Sequence, residues 1–462
     1  MERKENEKML EMILSLLEKK RYATLKDVLM TMNPFDIAEV FEDIQSEKVA
    51  VLFRLLPKEL AAETFVEMNE DAQELLIHGF SDTELKEIID EMYVDDAVDL
   101  IEEMPANVVK RILRQADPQT RKEINELLKY PEDSAGSIMT TECVILRPKM
   151  TVEEAIKRIR RTGIDKETIY TCYVSAPDST LIGITTIKTL LLSEEDEIIE
   201  NIMETNVISV NTLDDQEVVA QMFNKYNFLA LPVVDNENRL VGIVTFDDAI
   251  DVMEEEATED IQKMAAITPN TEKPYDRIGV FETYLSRIPW LLILMISATF
   301  TGMIITGYED ALATSGAVFL TAFIPMLMDT GGNSGSQASV TIIRALSLGE
   351  IEFKDIFKVI FKECRVALLC GVSLAAVNFL KLMLFDKMVL HNDHITVLVA
   401  FVVCLTMVVT IFIAKFVGCT LPMLAKKLGF DPAVMASPFI TTIVDAISLM
   451  VYFAIATAIL HI

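Results

Sequence analysis

Residues 288–462 are built of apolar runs as long as a bilayer is thick, and that limits what the chain can fold into more than any other feature. A helix needs about twenty apolar residues to cross the hydrocarbon core. Five spans are predicted, at 288–306, 311–328, 366–380, 395–414 and 432–460. The third is short, and Lys362, Arg365 and Lys381 can extend it by reaching toward the interfaces. Asp445 is the only charged side chain between Pro432 and Leu460. An intramembrane carboxylate is costly unless it is paired, hydrated or bound to a cation, so it marks an ion path. Gly331 to Gln337 (GGNSGSQ) is predicted to break the helix after the second span, and such breaks are tolerated where backbone lines a cavity. With Asp329 before it and the side-chain oxygens of Asn333 and Gln337 within it, the break reads as part of an oxygen-lined path.

The loops orient these spans. No base lies in the first loop, whereas Arg344, Lys354, Lys358, Lys362 and Arg365 lie between spans two and three, and Lys415, Lys426 and Lys427 between four and five. Basic loops stay cytoplasmic, which puts the N-terminus in the cytosol and the C-terminus outside a multi-pass cell-membrane protein; Lys381 and Lys387 run against this. Eleven acids and ten bases follow residue 287, so −29 of the net charge of −30 lies before it. So acidic a surface repels nucleic acid and anionic lipid and attracts cations. The six cysteines form no CxxC pair, and the charged, amphipathic N-terminus has no signal-peptide pattern, so reduced thiols and a cytosolic first half are expected.

Residues 1–130 read as an α-helical superhelix, because segments such as PKELAAETFVEM and SDTELKEIIDEM recur about every twelve residues with helical apolar spacing. A longer repeat follows, opened by Ser137-Ile138-Met139-Thr140 and again by Asn201-Ile202-Met203-Glu204. Each copy carries a β-branched run, an amphipathic helix and two strands, ending in LIGITT and LVGIVT. With LPVVD at 231–235 and LVGIVTFDD at 240–248, the two copies, 137–200 and 201–250, resemble an α/β tandem CBS pair. CBS pairs commonly bind adenine nucleotides through an Asp after the second signature. Asp248 is that residue in the second copy, whereas Thr189 stands opposite it in the first, which therefore lacks the acid. Residues 251–280 are expected to connect to the membrane through a helix crowded with acids, with Val252, Met253, Ile261 and Met264 on a shared apolar flank. Like charges at helical spacing destabilise such a helix unless a cation neutralises them.

Taken together, the acidic helical N-domain, the CBS pair, EEEATEDI (254–261), GGNSGSQ and PFITTIVD (438–445) resemble the MgtE family of magnesium channels over the whole chain. The resemblance implies a homodimer in the lipid bilayer, with Asp445 of each subunit facing the other around hydrated Mg²⁺. Asn333, Gln337, Thr441 and Thr442 would hold coordinated waters. It also implies closure by cytosolic Mg²⁺ bridging Glu63, Asp95 and Asp99 with Asp215, Glu217 and Asp248, then Asp251, Glu256, Glu259 and Asp260, and Asp431. Asn227 departs from a family position that can carry an acid. An ion-coupled secondary transporter of Mg²⁺, Co²⁺ or Mn²⁺ would share these features. An anion channel would need basic sites that the membrane half lacks. An enzyme is not expected, since the four histidines form no HExxH and there is no GxSxG.

Overall fold

The computed structural model describes residues 2–269, 275, 278–315, 317–392, 394–435 and 437–461. They form two compact units, Met1–Met253 and Glu254–Ile462. Part of the expected connecting segment, 270–274 and 276–277, lies outside the described residues.

The first unit opens with ten short helices: α1 (Glu2–Glu18), α2 (Tyr22–Leu29), α3 (Pro34–Glu42), α4 (Ser46–Phe53), α5 (Lys58–Val66), α6 (Glu70–Gly79), α7 (Asp82–Ile89), α8 (Val94–Glu103), α9 (Ala106–Gln115) and α10 (Pro118–Leu127). Local chemistry fixes their starts. Asn33, Asn69 and Asp117 cap α3, α6 and α10, and Ser81 forms a reciprocal capping box with Glu84. One apolar face of each helix joins a continuous core that includes Leu25, Phe41, Phe65, Leu76 and Ile112.

The long repeat becomes two three-stranded sheets of the same order. In the first, β1 (Val144–Leu146) is parallel to β2 (Thr171–Ser175), which is antiparallel to β3 (Leu181–Thr186). In the second, β4 (Val210–Asn211), β5 (Ala230–Val234) and β6 (Leu240–Thr245) repeat the pattern. The amphipathic helices are α11 (Val152–Thr162) and α14 (Gln216–Tyr226), with α12 (Ile187–Leu192) and α13 (Ile199–Ile202) between. The opening motif of each copy completes the other copy's sheet. Thr140 exchanges backbone hydrogen bonds of 2.8 Å with Ile243, and Glu204 exchanges bonds of 2.8 and 2.9 Å with Ile184. Gly242 and Gly183 are glycine because Met139 and Met203 lie against them: a Cβ would come within 3.1 and 2.7 Å of the respective sulfurs. A sequence boundary at 200/201 therefore cuts across two intertwined copies.

Helix α15 (Phe246–Met264) follows β6 without a break. The expected apolar flank forms only in part, since Val252 is buried but Met253 and Ile261 are exposed. In the second unit, Met264 packs against Ile343 and Ala433.

The second unit contains α16 (Val280–Thr314), α17 (Ile324–Ser347), α18 (Ile356–Leu380), α19 (Val397–Lys427) and α20 (Ser437–Leu460). Among the described residues, four segments are long and apolar enough to cross a membrane: Val280–Thr314, Phe353–Val389, Val397–Lys427 and Pro432–Leu460. Two expectations are corrected. The predicted second span, 311–328, is not one helix, because α16 ends at Thr314, a 3₁₀ turn covers Val318–Phe323 and α17 starts at Ile324. Nor does the glycine run break a helix, since α17 passes through it intact. Three glycines cost a helix about 1 kcal/mol each, but here they allow α17 to press against α19 and α20. A Cβ on Gly331 would lie 2.6 Å from Thr410, one on Gly332 2.7 Å from Thr441, and one on Gly335 2.9 Å from Ile440. Gly418 of α19 lies directly against the Gly335 carbonyl.

The third span needs no extension by lysines, because α18 starts ten residues earlier than predicted and continues as a π-helical stretch, Lys381–Val389. Lys381 lies 2.8 Å from Asp386, so one of the two bases that ran against the topology is neutralised in place.

Adding a methyl at the α17–α19 crossing overpacks it, so Gly418→Ala destabilises the folded protein by about 1–3 kcal/mol. Gly302→Ala within α16, where a Cβ meets nothing within 4 Å, does not destabilise it and gains up to about 1 kcal/mol of helix propensity; melting temperatures of the full-length protein in detergent compare the two.

Candidate functional site

Carboxylates converge within the first unit where the helical domain meets the CBS pair. Asp95 and Asp96 occupy the first turn of α8, and Asp247 and Asp248 the first turn of α15, where exposed N–H groups favour negative charge. Glu142 and Glu167 come from the first CBS copy. The Val94 N–H donates to Glu142 at 3.4 Å, and the Glu167 N–H donates to the Glu142 carbonyl at 3.0 Å. Asp95 is buried and its Oδ1 has no hydrogen-bond partner; the same holds for Oε2 of Glu167. Asp248 accepts a 2.5 Å hydrogen bond from the Thr245 hydroxyl.

These acids repel one another. Burial first, then Asp248 and Asp247, push Asp96 up to about 7. Burial with Asp247 and Asp96 nearby pushes Glu167 up to about 8. Asp248 is raised to about 6, mainly by burial and against the opposing Thr245 hydrogen bond. Asp95 is raised well above the carboxylate range by burial and then by Asp96. At the rim, burial and then Asp251 raise Glu67, while Glu63 is among the acids acting on Tyr93. The charged groups that act most strongly on Asp95, Asp96 and Glu167 are other carboxylates.

An all-oxygen, base-free donor set suits a hard divalent cation. Among the described residues, no three Asp, Glu, His or Cys side chains converge tightly enough to hold an ion directly.

Of the other expected ligands, Asp99 is exposed one turn along α8 from Asp95. Asp215 caps α14 by accepting the Glu217 N–H at 2.9 Å. Glu256 is half-buried on α15. Lys263 puts its ammonium 2.6 Å from Glu259 and 2.7 Å from Asp431, so a metal ion bridging these two acids would have to displace it. Asp260 accepts from Ser347 at 3.4 Å. Asn227 adopts φ 55° as the left-handed C-cap of α14, a conformation Asn tolerates well.

A separate cleft of about 380 Å³ lies between the CBS copies, lined by Tyr170, Thr186, Lys188, Asn227 and Pro232 among others. Asp248 does not line it and faces the acid cluster instead.

In the second unit, Asp445 sits half-buried on α20 with Oδ1 shielded and without a hydrogen-bond partner among the described residues. Asp329 of α17 is close enough to act on it electrostatically. Asp329 accepts from Asn333 at 3.0 Å. Asp329, Asn333, Gln337 and Thr341, each four residues apart, are exposed on one side of α17, while Gly331, Gly332 and Gly335 are buried. Ser336 meets Thr441 of α20 at 3.5 Å, and the Thr442 hydroxyl donates to the Pro438 carbonyl at 3.0 Å.

The MgtE profile, described as a divalent cation transporter, matches residues 324–455, the MgtE intracellular N-domain profile 32–133, and the CBS profile 135–195 and 199–255. Magnesium transporter MgtE of Thermus thermophilus is 36% identical, with 95% of each chain covered. The chain belongs to the MgtE family. The Bacillus subtilis magnesium transporter MgtE is 32% identical with 97% of each chain covered. Among solved structures, the cytosolic domain of the Mg²⁺ channel MgtE in complex with ATP has a TM-score of 0.50 at 36% identity, covering 52% of this chain and 98% of that one. The soluble part of a magnesium transporter has a TM-score of 0.51 at 30% identity, covering 55% and 99%.

Reading the sequence of this MgtE-family chain missed Glu67, Asp96, Glu142, Glu167 and Asp247. Asp96 and Asp247 adjoin predicted ligands and could have been found by adjacency. Glu142 and Glu167 reach the cluster only through the fold.

Carboxyls raised in the folded state favour folding while protonated, and that contribution fades as pH climbs through about 6, 7 and 8 at Asp248, Asp96 and Glu167. In EDTA, the melting temperature of the first unit within the full-length protein should fall between pH 5.5 and 8.5. Added Mg²⁺ should restore more at pH 8.5 than at 5.5; a flat profile with equal restoration would contradict the cluster's role.

Proposed function

We propose that this MgtE-family chain imports Mg²⁺ across the cell membrane as a homodimeric channel, closed by cytosolic Mg²⁺ acting on its acidic domains. The observation that carries the reading is Asp445, a shielded, unpartnered carboxylate on an apolar helix, with Asp329 nearby and the polar side of α17 beside it. A cation is the missing partner. Counting α17 as a fifth span, with the basic loops cytosolic, gives a cytosolic N-terminus and an external C-terminus.

Two subunits would place two Asp445 carboxylates across an axis. Hydrated Mg²⁺ gives up water reluctantly, so a pore that attracts it with few carboxylates and holds its waters with Asn333, Gln337, Thr441 and Thr442 suits it. On the cytosolic side, Mg²⁺ takes the place of the protons that Asp95, Asp96, Glu167 and Asp248 otherwise retain. Glu63, Asp99, Asp215, Glu217, Asp251, Glu256, Glu259, Asp260 and Asp431 make up the surrounding sensor. With little Mg²⁺ the acids repel and the open state gains population. The cleft beside Tyr170 and Lys188 is the place for an adenine nucleotide, held without a carboxylate from the first copy because Thr189 stands there.

Asp445→Asn keeps the side chain's size and removes its charge. Expressed at normal levels in cells unable to import Mg²⁺, it should abolish growth rescue, whereas Thr442→Ser should retain it. Undiminished rescue by Asp445→Asn would sink the pore assignment.

A further inference from the structure

A cleft of about 590 Å³ opens in the second unit between the C-terminal half of α17 and the first turns of α18. Arg344, Lys358 and Lys362 line it, all exposed, and none forms an ion pair among the described residues. Three acids line it too. Glu363 faces Lys415 at 3.6 Å, and Asp355 accepts the Glu352 N–H at 3.2 Å while keeping its charge. Glu350 and Asp355 are thus outnumbered by three bases. The walls between the charges are apolar, from Val340, Ile351 and Val359.

The cleft sits where α18 changes character. Lys358, Lys362 and Arg365 lie within two turns of the helix, and from Val366 to Leu380 the sequence carries no charge. Phe357 and Phe361, 82% and 65% exposed, flank the bases, and the Arg365 guanidinium stacks over Phe361 at 4.9 Å. Bases at the edge of an apolar helix, with exposed aromatics between them, match the level of phosphates in a cytosolic leaflet.

We propose that this cleft binds an anionic phospholipid, with the headgroup phosphate held by Arg344, Lys358 and Lys362 and an acyl chain running past Val340 and the exposed phenylalanines. Guanidinium suits phosphate because its planar fork makes two parallel hydrogen bonds. The bound lipid would brace α17, which carries Asp329 and Asn333, against α18. The inference rests on the membrane placement of these helices but not on the ion that passes.

Full-length protein purified in detergent, supplied with equal phosphatidylglycerol and phosphatidylcholine, tests this by native mass spectrometry and melting temperature. Wild type should retain phosphatidylglycerol selectively and melt higher with it. Arg344→Gln/Lys358→Gln/Lys362→Gln should lower that retention by about tenfold or more, with phosphatidylcholine retention unchanged. Should the triple variant not fold, Lys358→Gln/Lys362→Gln carries the same expectation at two exposed positions. Equal retention of both lipids by wild type, equal phosphatidylglycerol retention by variant and wild type, or an equal melting shift with glycerol phosphate alone would overturn the proposal. So would a variant that alters Mg²⁺ inhibition without changing lipid retention, since that points to an acidic protein segment as the occupant.

Discussion

A carboxylate removed from water needs a compensating partner, and among the described residues a shielded oxygen of Asp95, Glu167 and Asp445 has no hydrogen-bond donor. Two unit charges about 4 Å apart interact by about 4 kcal/mol at an effective dielectric of 20, so a group such as Asp95, Asp96, Glu167 and Asp248 resists assembly unless protons or ions relieve it. The helix starts at α8 and α15 supply only partial positive charge. In Asp95 and Glu167 the strain is visible as buried oxygens with no partner.

The second unit handles its acids differently. Lys415 lies 3.6 Å from Glu363, Lys381 2.8 Å from Asp386, and Lys263 2.7 Å from Asp431. Asp445 receives no such lysine among the described residues, although its helix α20 packs against α17 and α19. That packing depends on Gly331, Gly332, Gly335 and Gly418, which bring α17 close to α19 and α20. Lysines thus pair with acids at these contacts, and in the proposed function the carboxylate of Asp445 is the one left for an ion that moves.

Much of this was legible in the sequence, unevenly. The superhelix, the CBS repeat and Asp445 followed from apolar spacing, a recurrent motif and the cost of a lone charge. The glycine run misled because Gly is a poor helix former in isolation, and only the neighbours of α17 show that small side chains were required for packing. The second span failed because Ala311–Met328 is apolar in composition, yet turns between Thr314 and Ile324. Glu142 and Glu167 could not be foreseen, since they join Asp95 and Asp96 only when the loops before β1 and β2 of one domain meet a helix of another. Asp248 fitted a nucleotide signature, but its neighbours are acids, and the cleft lies elsewhere.

The central claim is that Mg²⁺ replaces protons on the buried acids of the first unit, and calorimetry of Mg²⁺ binding in buffers of different ionisation enthalpy tests it most directly. Because metal binding requires deprotonated ligands and Glu167 and Asp96 titrate at about 8 and 7, binding at pH 7 should release protons. The release should fall in Asp96→Asn/Glu167→Gln. Binding heats that do not depend on the buffer, in protein that does bind Mg²⁺, would contradict the account.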